Sequence, residues 1–380
     1  MVVRVPEPLL IGEGEPVGEI GKERGTNRPV LICERYPRLI LICGRQRTGK
    51  TYLCRVLIEE LLRDPRNHFL IIDPKSEYTF QYRLSADFEI PTEVALRDDD
   101  GTLKVKFSDI DPVSLTRTLF GDGYRAMFQP SAILFETILK KTFKEIPNPT
   151  PKDAILTLLK YMSGLGDEDE LGVFMDPLPS NVKNAVLYRL RTLDNFGVFV
   201  SDGGLTVEDI LKNQITRLVI QQGEIAVKIV MKAVISRILK SRMAEAERYL
   251  EMEARGEKRP EWHRIILVAE EAHLYSKLPE LIEYVKVGGY CNLGGIFISQ
   301  RPASITPEVT SQINAIAVFR LVSDRDIEWV RRNSPMYVTK ETSDIFKRLA
   351  TGECVFITED DIIRIKVRSA KTLHMGRTVW

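Results

Sequence analysis

Apolar and polar residues follow two patterns along this chain, and the two patterns alternate. Runs of apolar residues that are typical of strands inside a parallel sheet occur at 38–43, 68–73, 215–221, 264–269, 295–299 and 315–321. Between them lie runs with helical spacing, and the run after the first strand places Leu53, Val56, Leu57 and Leu61 on one side. Strands that alternate with helices predict an α/β fold with a mainly parallel sheet. A site in such a fold is expected at the carboxyl ends of the strands.

Changes in this pattern divide the chain into four predicted parts. Residues 1–37 are rich in Gly, Pro and Glu, which predicts a short N-terminal β element. Residues 38–85 and 213–352 carry the strand–helix alternation and are predicted to form the core. Residues 86–212 contain helical runs separated by acidic and Gly/Pro breaks, so we interpret them as a helical insertion. Residues 353–380 predict a C-terminal hairpin and tail.

Composition narrows the class of protein. The 380 residues are 44% hydrophobic and 28% charged, which is typical of a globular protein with a substantial core. No apolar run approaches the roughly 18 residues that span a bilayer, so we expect no membrane insertion and a cytoplasmic location. The five cysteines are scattered without a C-x-x-C pair, which disfavours structural zinc. A net charge of +1 means that any nucleic-acid contact must use local positive charge.

A phosphate-binding loop lies between the first strand and the first helix. The loop fits the pattern G-x-x-x-x-G-K-[ST] and reads Gly44-Arg45-Gln46-Arg47-Thr48-Gly49-Lys50-Thr51. Gly44 and Gly49 allow backbone angles that turn successive N–H groups towards one anion. Lys50 carries a positive charge to the β- and γ-phosphates of ATP, and the Thr51 hydroxyl is placed to bind Mg²⁺. The following helix points its positive end at the same phosphates.

Three apolar runs end in acidic residues, and one of them should supply the second Mg²⁺ ligand. These acids are Asp73, the pair Glu270–Glu271 and the pair Glu359–Asp360. Paired acids on a later strand are typical of ATP hydrolases, in which one acid binds the metal and the next polarises water. We therefore assign Glu270 to Mg²⁺, Glu271 as the general base and Gln300, after the next strand, as a sensor of the γ-phosphate. Asp73 is interpreted either as a capping acid at a strand end or as a residue of the site's rim.

At these residues the chain resembles the HerA/FtsK superfamily of ring-forming, DNA-pumping ATPases, and it is most similar to HerA. The matching segments run in order along most of the chain and comprise Gly44–Thr51, Asp73–Tyr78, Ile215–Gln221 with its long helix, Glu270–His273, Ser299–Ala303 and the closing stretch 352–374. Two features depart from the family. The metal acid is usually Asp, whereas here it is Glu270, and the N-terminal β-barrel of HerA is reduced to about the first 37 residues.

The resemblance implies a RecA-like P-loop core, ATP and Mg²⁺ as cofactors, and a homohexamer with DNA in its channel. It also implies an arginine that reaches the γ-phosphate from a neighbouring subunit. Arg320 is the first candidate and Arg325 the second. His273 is expected to hydrogen-bond near the site, because no His or Cys lies at metal-ligand spacing. A nuclease is a further candidate partner.

Two classes of function follow from these residues. The first is an ATP-driven DNA translocase or helicase motor of the HerA type, with a conjugative or viral DNA-packaging motor as its close alternative. The second is a nucleotide-dependent assembly switch that hydrolyses ATP slowly and moves no DNA. The Glu at position 270 and the near-neutral net charge leave room for the second class.

Overall fold

The computed structural model describes residues 7–36, 38–166 and 177–373, and these divide into two compact units. The first unit takes in residues up to 95, 208–218 and those from 242 onwards, and the second takes in 96–207 and 219–241. The predicted parts 1–37, 86–212 and 353–380 each extend into stretches outside the described residues. Their limits stay a prediction.

Strands are numbered in chain order. They are β1 (Leu9–Ile11), β2 (Glu13–Glu23), β3 (Pro29–Arg35), β4 (Leu39–Cys43), β5 (Asn67–Ile72), β6 (Glu93–Arg97), β7 (Val105–Lys106), β8 (Phe199–Val200), β9 (Ile215–Val219), β10 (Arg264–Ala269), β11 (Leu293–Ser299), β12 (Ala315–Val318), β13 (Glu353–Ile357) and β14 (Ile362–Val367). Strands β7 and β8 pair with each other. The others form one sheet in the order β1-β3-β2-β14-β13-β12-β4-β11-β10-β5-β9-β6.

The middle of this sheet is parallel, as the sequence predicted. In the order β12-β4-β11-β10-β5-β9, each strand pairs in parallel with the next. Every residue of β4, β5 and β11 is buried, which agrees with their unbroken apolar runs. The carboxyl ends of β4, β5, β10 and β11 therefore meet at one edge of the sheet, where the predicted site residues follow them.

Helices are also numbered in chain order. They are α1 (Lys50–Leu61), α2 (Pro112–Phe120), α3 (Pro130–Glu145), α4 (Pro151–Met162), α5 (Ser180–Asn195), α6 (Val207–Leu211), α7 (Glu224–Ala254), α8 (Pro279–Val287), α9 (Pro307–Thr310), α10 (Asp324–Asn333) and α11 (Lys340–Phe346). Within the described residues, no helix is both long enough and apolar enough to cross a membrane.

The helix after the phosphate loop, α1, differs in one respect from its predicted amphipathic form. Its apolar side packs into the core of the first unit as expected. Its polar side is buried as well, including Glu59 and Glu60. These two carboxylates face the chain segment after β14, where Arg368 approaches both of them at 3.0 Å or less. A sequence pattern cannot predict this burial, because the neutralising charge comes from the far end of the chain.

The two ends of the described chain meet in the same sheet. Strand β2 pairs antiparallel with β14, and β14 pairs antiparallel with β13 to form the predicted C-terminal hairpin. Strands β1, β2 and β3 extend the sheet that carries the phosphate loop. The interpretation of residues 1–37 as a reduced barrel stays a prediction.

The second unit contains helices α2, α3, α4 and α5, and the interpretation of 86–212 as an insertion stays a prediction. Helix α4 begins with a capping box, in which the Asp153 carboxylate accepts a hydrogen bond from the Thr150 backbone N–H at 2.7 Å. Strands β7 and β8 form a short parallel pair.

Candidate nucleotide site

The phosphate loop has a backbone that only glycine fits at two positions. Gly44 has a φ of 147° and Gly49 a φ of 115°. A Cβ atom at Gly44 would lie 2.6 Å from the Phe319 Cβ, and one at Gly49 would lie 3.0 Å from the Phe319 ring. Both glycines are therefore required by backbone conformation and by the packing of Phe319 against the loop.

Neighbouring chain segments hold this loop in place. The Arg45 N–H donates to the Arg320 carbonyl at 2.8 Å, and the Gly352 N–H donates to the Thr48 carbonyl at 3.0 Å. Inside the loop, the Thr48 hydroxyl donates to the Arg45 carbonyl at 2.7 Å. The loop is thus fixed from both sides by backbone hydrogen bonds, which suits a preformed anion site.

Lys50 lies at the mouth of the loop. Its Nζ donates to the Arg45 carbonyl at 2.9 Å, and the side chain is buried. Burial lowers the pKa of the ammonium group, and the carboxylates of Glu270 and Glu271 oppose that shift. The predicted lysine and the predicted acid pair are therefore close enough to interact electrostatically.

Glu270 and Thr51 meet beside the loop, as expected for the metal ligands. The Tyr78 hydroxyl donates to Glu270 Oε1 at 2.7 Å. Burial raises the pKa of Glu270, and the nearby hydroxyls of Tyr78 and Thr51 oppose this effect. The roles of both residues as metal ligands stay predictions.

The residues present fit Mg²⁺. No group of three or more His, Cys, Asp or Glu in the described part of the chain could hold a metal ion. A hydroxyl and one carboxylate are the few hard oxygen ligands that Mg²⁺ takes from a protein when phosphates and water complete its shell. Thr51 and Glu270 would hold the ion, which would neutralise charge on the phosphates.

Glu271 and Gln300 come together next to this pair. The Gln300 amide donates to Glu271 Oε1, and the Lys75 Nζ lies 3.8 Å from the same oxygen. His273 Nδ1 lies 3.6 Å from Glu271 Oε2 and 3.3 Å from the Ser299 hydroxyl. His273 thus sits where the sequence analysis expected a hydrogen-bonding neighbour of the site. Glu271 has a left-handed backbone with a φ of 51°, an uncommon conformation that recurs at functional sites.

The two candidate arginines lie apart from this cluster. Strand β12 ends at Val318, so Arg320 is two residues beyond it, half-buried, with its carbonyl bound to the chain's own phosphate loop. Arg325 is exposed in the first turn of α10. Neither side chain forms a hydrogen bond or ion pair with any residue that the structure describes. Their roles stay predictions.

The loop after β5, residues Asp73–Tyr78, holds functional contacts that the sequence analysis missed. Asp73 caps it: its carboxylate accepts from the Glu77 N–H at 2.9 Å and the Tyr78 N–H at 3.1 Å. The segment matched the family motif, yet Lys75 and Tyr78 received no role. Their partners, Glu271 and Glu270, are nearly 200 residues away, and short-range patterns do not reveal such contacts.

The sequence of this chain is similar to those of HerA helicases. Residues 38–241 match the family model of the helicase HerA central domain. The chain is 23% identical to the DNA double-strand break repair helicase HerA of Pyrococcus furiosus over 367 residues, covering 86% of this chain and 63% of that protein. A second relative, from Methanocaldococcus jannaschii, is covered over 64% of its length. The chain thus spans just under two thirds of these relatives.

Two solved structures share the fold. VirB4 of Thermoanaerobacter pseudethanolicus superimposes with a TM-score of 0.64 at 16% identity, covering 95% of this chain and 98% of that one. The bacterial conjugative coupling protein TrwB gives a TM-score of 0.58 at 15% identity, covering 89% and 87%. These likenesses confirm the predicted fold, a P-loop ATPase core of RecA-like type with a mainly parallel sheet.

Proposed function

Because the chain belongs to the family of the HerA helicase central domain, we propose that it is an ATP-driven motor that moves DNA. The family predicted from the sequence is confirmed, and with it the class of P-loop ATPase. One observation carries the proposal. Lys50, the Thr51–Glu270 pair and the Glu271–Gln300 pair lie together at the carboxyl edge of the parallel sheet.

This arrangement suits hydrolysis of a bound nucleotide. Lys50 attracts the β- and γ-phosphates into a loop whose backbone is already fixed. Glu271 accepts the proton of the attacking water as that water adds to the γ-phosphorus, and the bond from the γ-phosphorus to the β–γ bridging oxygen breaks, so that ADP leaves and phosphate is formed. The Gln300 amide, which bonds Glu271, orients the base and the water relative to each other.

We infer that the working unit is a homohexameric ring with DNA in its channel and an arginine supplied between subunits. In related NTPases such an arginine raises the rate by about three to five orders of magnitude. The exposed Arg325 is better placed to reach another copy than Arg320, whose carbonyl is tied to its own phosphate loop. A nuclease that processes DNA ends remains a candidate partner.

The test is the dependence of ATP hydrolysis on DNA. We expect single- or double-stranded DNA to stimulate turnover several-fold, and six-membered rings to appear in electron micrographs. Hydrolysis that no form of DNA changes would contradict the motor. A protein that stays monomeric at full activity would contradict the ring.

A slow assembly switch is the second candidate, and the engagement of Glu271 favours it. Its Oε1 accepts from Gln300 and is approached by Lys75, so one of the two carboxylate oxygens is engaged in this conformation. The variant Glu271→Gln separates the two functions. A motor should lose about a hundredfold or more in turnover while keeping ATP binding, and a switch should lose little. The matched control is Glu308→Gln, which changes an exposed glutamate of the short helix α9.

A further inference from the structure

We propose that Tyr78 is a positioning residue that sets the orientation of the metal acid Glu270. The inference rests on the proposed function, because that function makes Glu270 a ligand of Mg²⁺. Tyr78 itself touches neither nucleotide nor metal in this scheme, and it acts through the carboxylate.

The contact between the two side chains is enclosed by protein. The Tyr78 hydroxyl donates to Glu270 Oε1 at 2.7 Å, Tyr78 is 1% exposed and Glu270 is 9% exposed. A buried carboxylate that accepts a hydrogen bond from a buried hydroxyl has little rotational freedom, which is how outer hydrogen-bond partners orient metal ligands.

The backbone on the N-terminal side of Tyr78 is fixed by a buried acid. Asp73 accepts the Tyr78 N–H at 3.1 Å and is 1% exposed. The Arg217 guanidinium pairs with Asp73 at 3.2 Å and also with Glu93. Asp73 is therefore itself held in place by a buried charge.

A buried arginine fixes the backbone on both sides of Tyr78. Arg55, one turn beyond Thr51 on α1, donates to the Thr79 carbonyl at 2.7 Å and to the Glu77 carbonyl at 3.4 Å. Its side chain is fully buried and lies over the Phe80 ring. The backbone around Tyr78 is thus held by two buried charged residues, Asp73 and Arg55, so the Tyr78 hydroxyl has little conformational freedom.

The length of the Glu270 side chain explains why a positioning residue is useful here. Glutamate has one more rotatable bond than aspartate, and that bond must be restricted before the carboxylate can bind a metal. A hydrogen bond from a rigid tyrosine restricts that bond. Tyr78 accordingly matters more to this chain than it would beside an aspartate.

The experiment measures Mg²⁺-dependent binding of a fluorescent ATP analogue without turnover, in the Glu271→Gln background. We expect Tyr78→Phe to raise the half-saturating Mg²⁺ concentration about tenfold, with full nucleotide binding restored at high Mg²⁺. Tyr284→Phe is the matched control. That buried hydroxyl donates to the backbone carbonyls of Ile265 and Gly294, away from the acid pair, so its loss should leave the Mg²⁺ titration unchanged.

A second measurement separates positioning from a general structural effect. In a Glu270→Asp background the shorter carboxylate withdraws from the tyrosine, so Tyr78→Phe should then change the half-saturating Mg²⁺ by less than about twofold. The same tenfold shift in both backgrounds, an unshifted Tyr78→Phe, or an equal shift in Tyr284→Phe would overturn the inference alone. A parent protein that binds no nucleotide would overturn the proposed function and this inference with it.

Discussion

Two loops at the same edge of the sheet reach their conformations by opposite means. The phosphate loop, Gly44–Thr51, follows β4 and is held by glycine backbone angles and by hydrogen bonds between main-chain atoms. The loop Asp73–Tyr78 follows β5 and is held by buried charged side chains, Asp73 and Arg55. The first presents its backbone, and the second aims its side chains at the acid pair.

The difference reflects what each loop has to bind. A triphosphate arrives from outside, and inward-facing N–H groups bind it without any side chain having to fold over it. Glu270 and Glu271 belong to the protein, so the orientation of their carboxylates must be set by other fixed side chains. Substitution of Lys50 in the first loop should therefore affect nucleotide binding at nearly constant stability, whereas substitution of Asp73 in the second should lower stability and metal affinity together.

The largest effect is expected from Lys50→Ala. The loss of this charge should weaken ATP turnover by about a hundredfold or more. Because burial already disfavours the charged form of Lys50, its removal should change the free energy of unfolding by less than about 1 kcal/mol. ATP hydrolysis and urea denaturation measure the two quantities. Lys212→Ala, which removes an exposed lysine of the same unit, is the control, and an unfolded Lys50→Ala would contradict the comparison.

A smaller loss, of a different kind, is expected from Asp73→Ala. Removing the buried acid leaves Arg217 with Glu93 alone and releases the Glu77 and Tyr78 N–H groups. We expect the free energy of unfolding to fall by about 3 kcal/mol, and the half-saturating Mg²⁺ concentration to rise.

The matched control for Asp73→Ala is Asp64→Ala. Asp64 pairs with Arg66 at 2.8 Å on the partly exposed surface of the same unit, so its loss should cost less than about 1 kcal/mol. Equal costs for the two substitutions, measured by urea denaturation, would show that buried charge does not hold the second loop.

The first loop could be predicted from the sequence, and much of the second could not. The residues that identify Gly44–Thr51 lie within the loop and the two elements that flank it, so a local pattern reveals the loop, although Phe319, Arg320 and Gly352 also constrain it. The strand–helix alternation likewise predicted which strand ends meet, and the structure brings Glu271 and Gln300 together as the pattern required.

The contacts of the second loop depend on distant parts of the chain. Arg217 lies 144 residues after Asp73, and Glu270 lies 192 residues after Tyr78. The burial of Glu59 on α1 has the same origin, because its partner Arg368 is near the end of the described chain. A carboxylate at helical spacing is normally solvated, and only the tertiary structure shows which charges are paired inside.

The smallest effect is expected from Ser76→Gly, which tests the backbone strain of a left-handed residue in the second loop. The phosphate loop places glycine at two positions with positive φ and Arg47 at a third, with a φ of 61°, and the second loop places Ser76 at such a position, with a φ of 53°. That conformation costs a residue with a Cβ atom roughly 1–2 kcal/mol. Glycine avoids this cost but has more conformational entropy in the unfolded chain, so only a part of the cost is recovered as stability. Ser76→Gly should therefore raise the free energy of unfolding by about 0.5 kcal/mol in urea denaturation. Asn27→Gly, at a φ of 60° in the β2–β3 turn, should gain less because asparagine tolerates this backbone. A larger gain at Asn27 would mean that Ser76 carries no backbone strain.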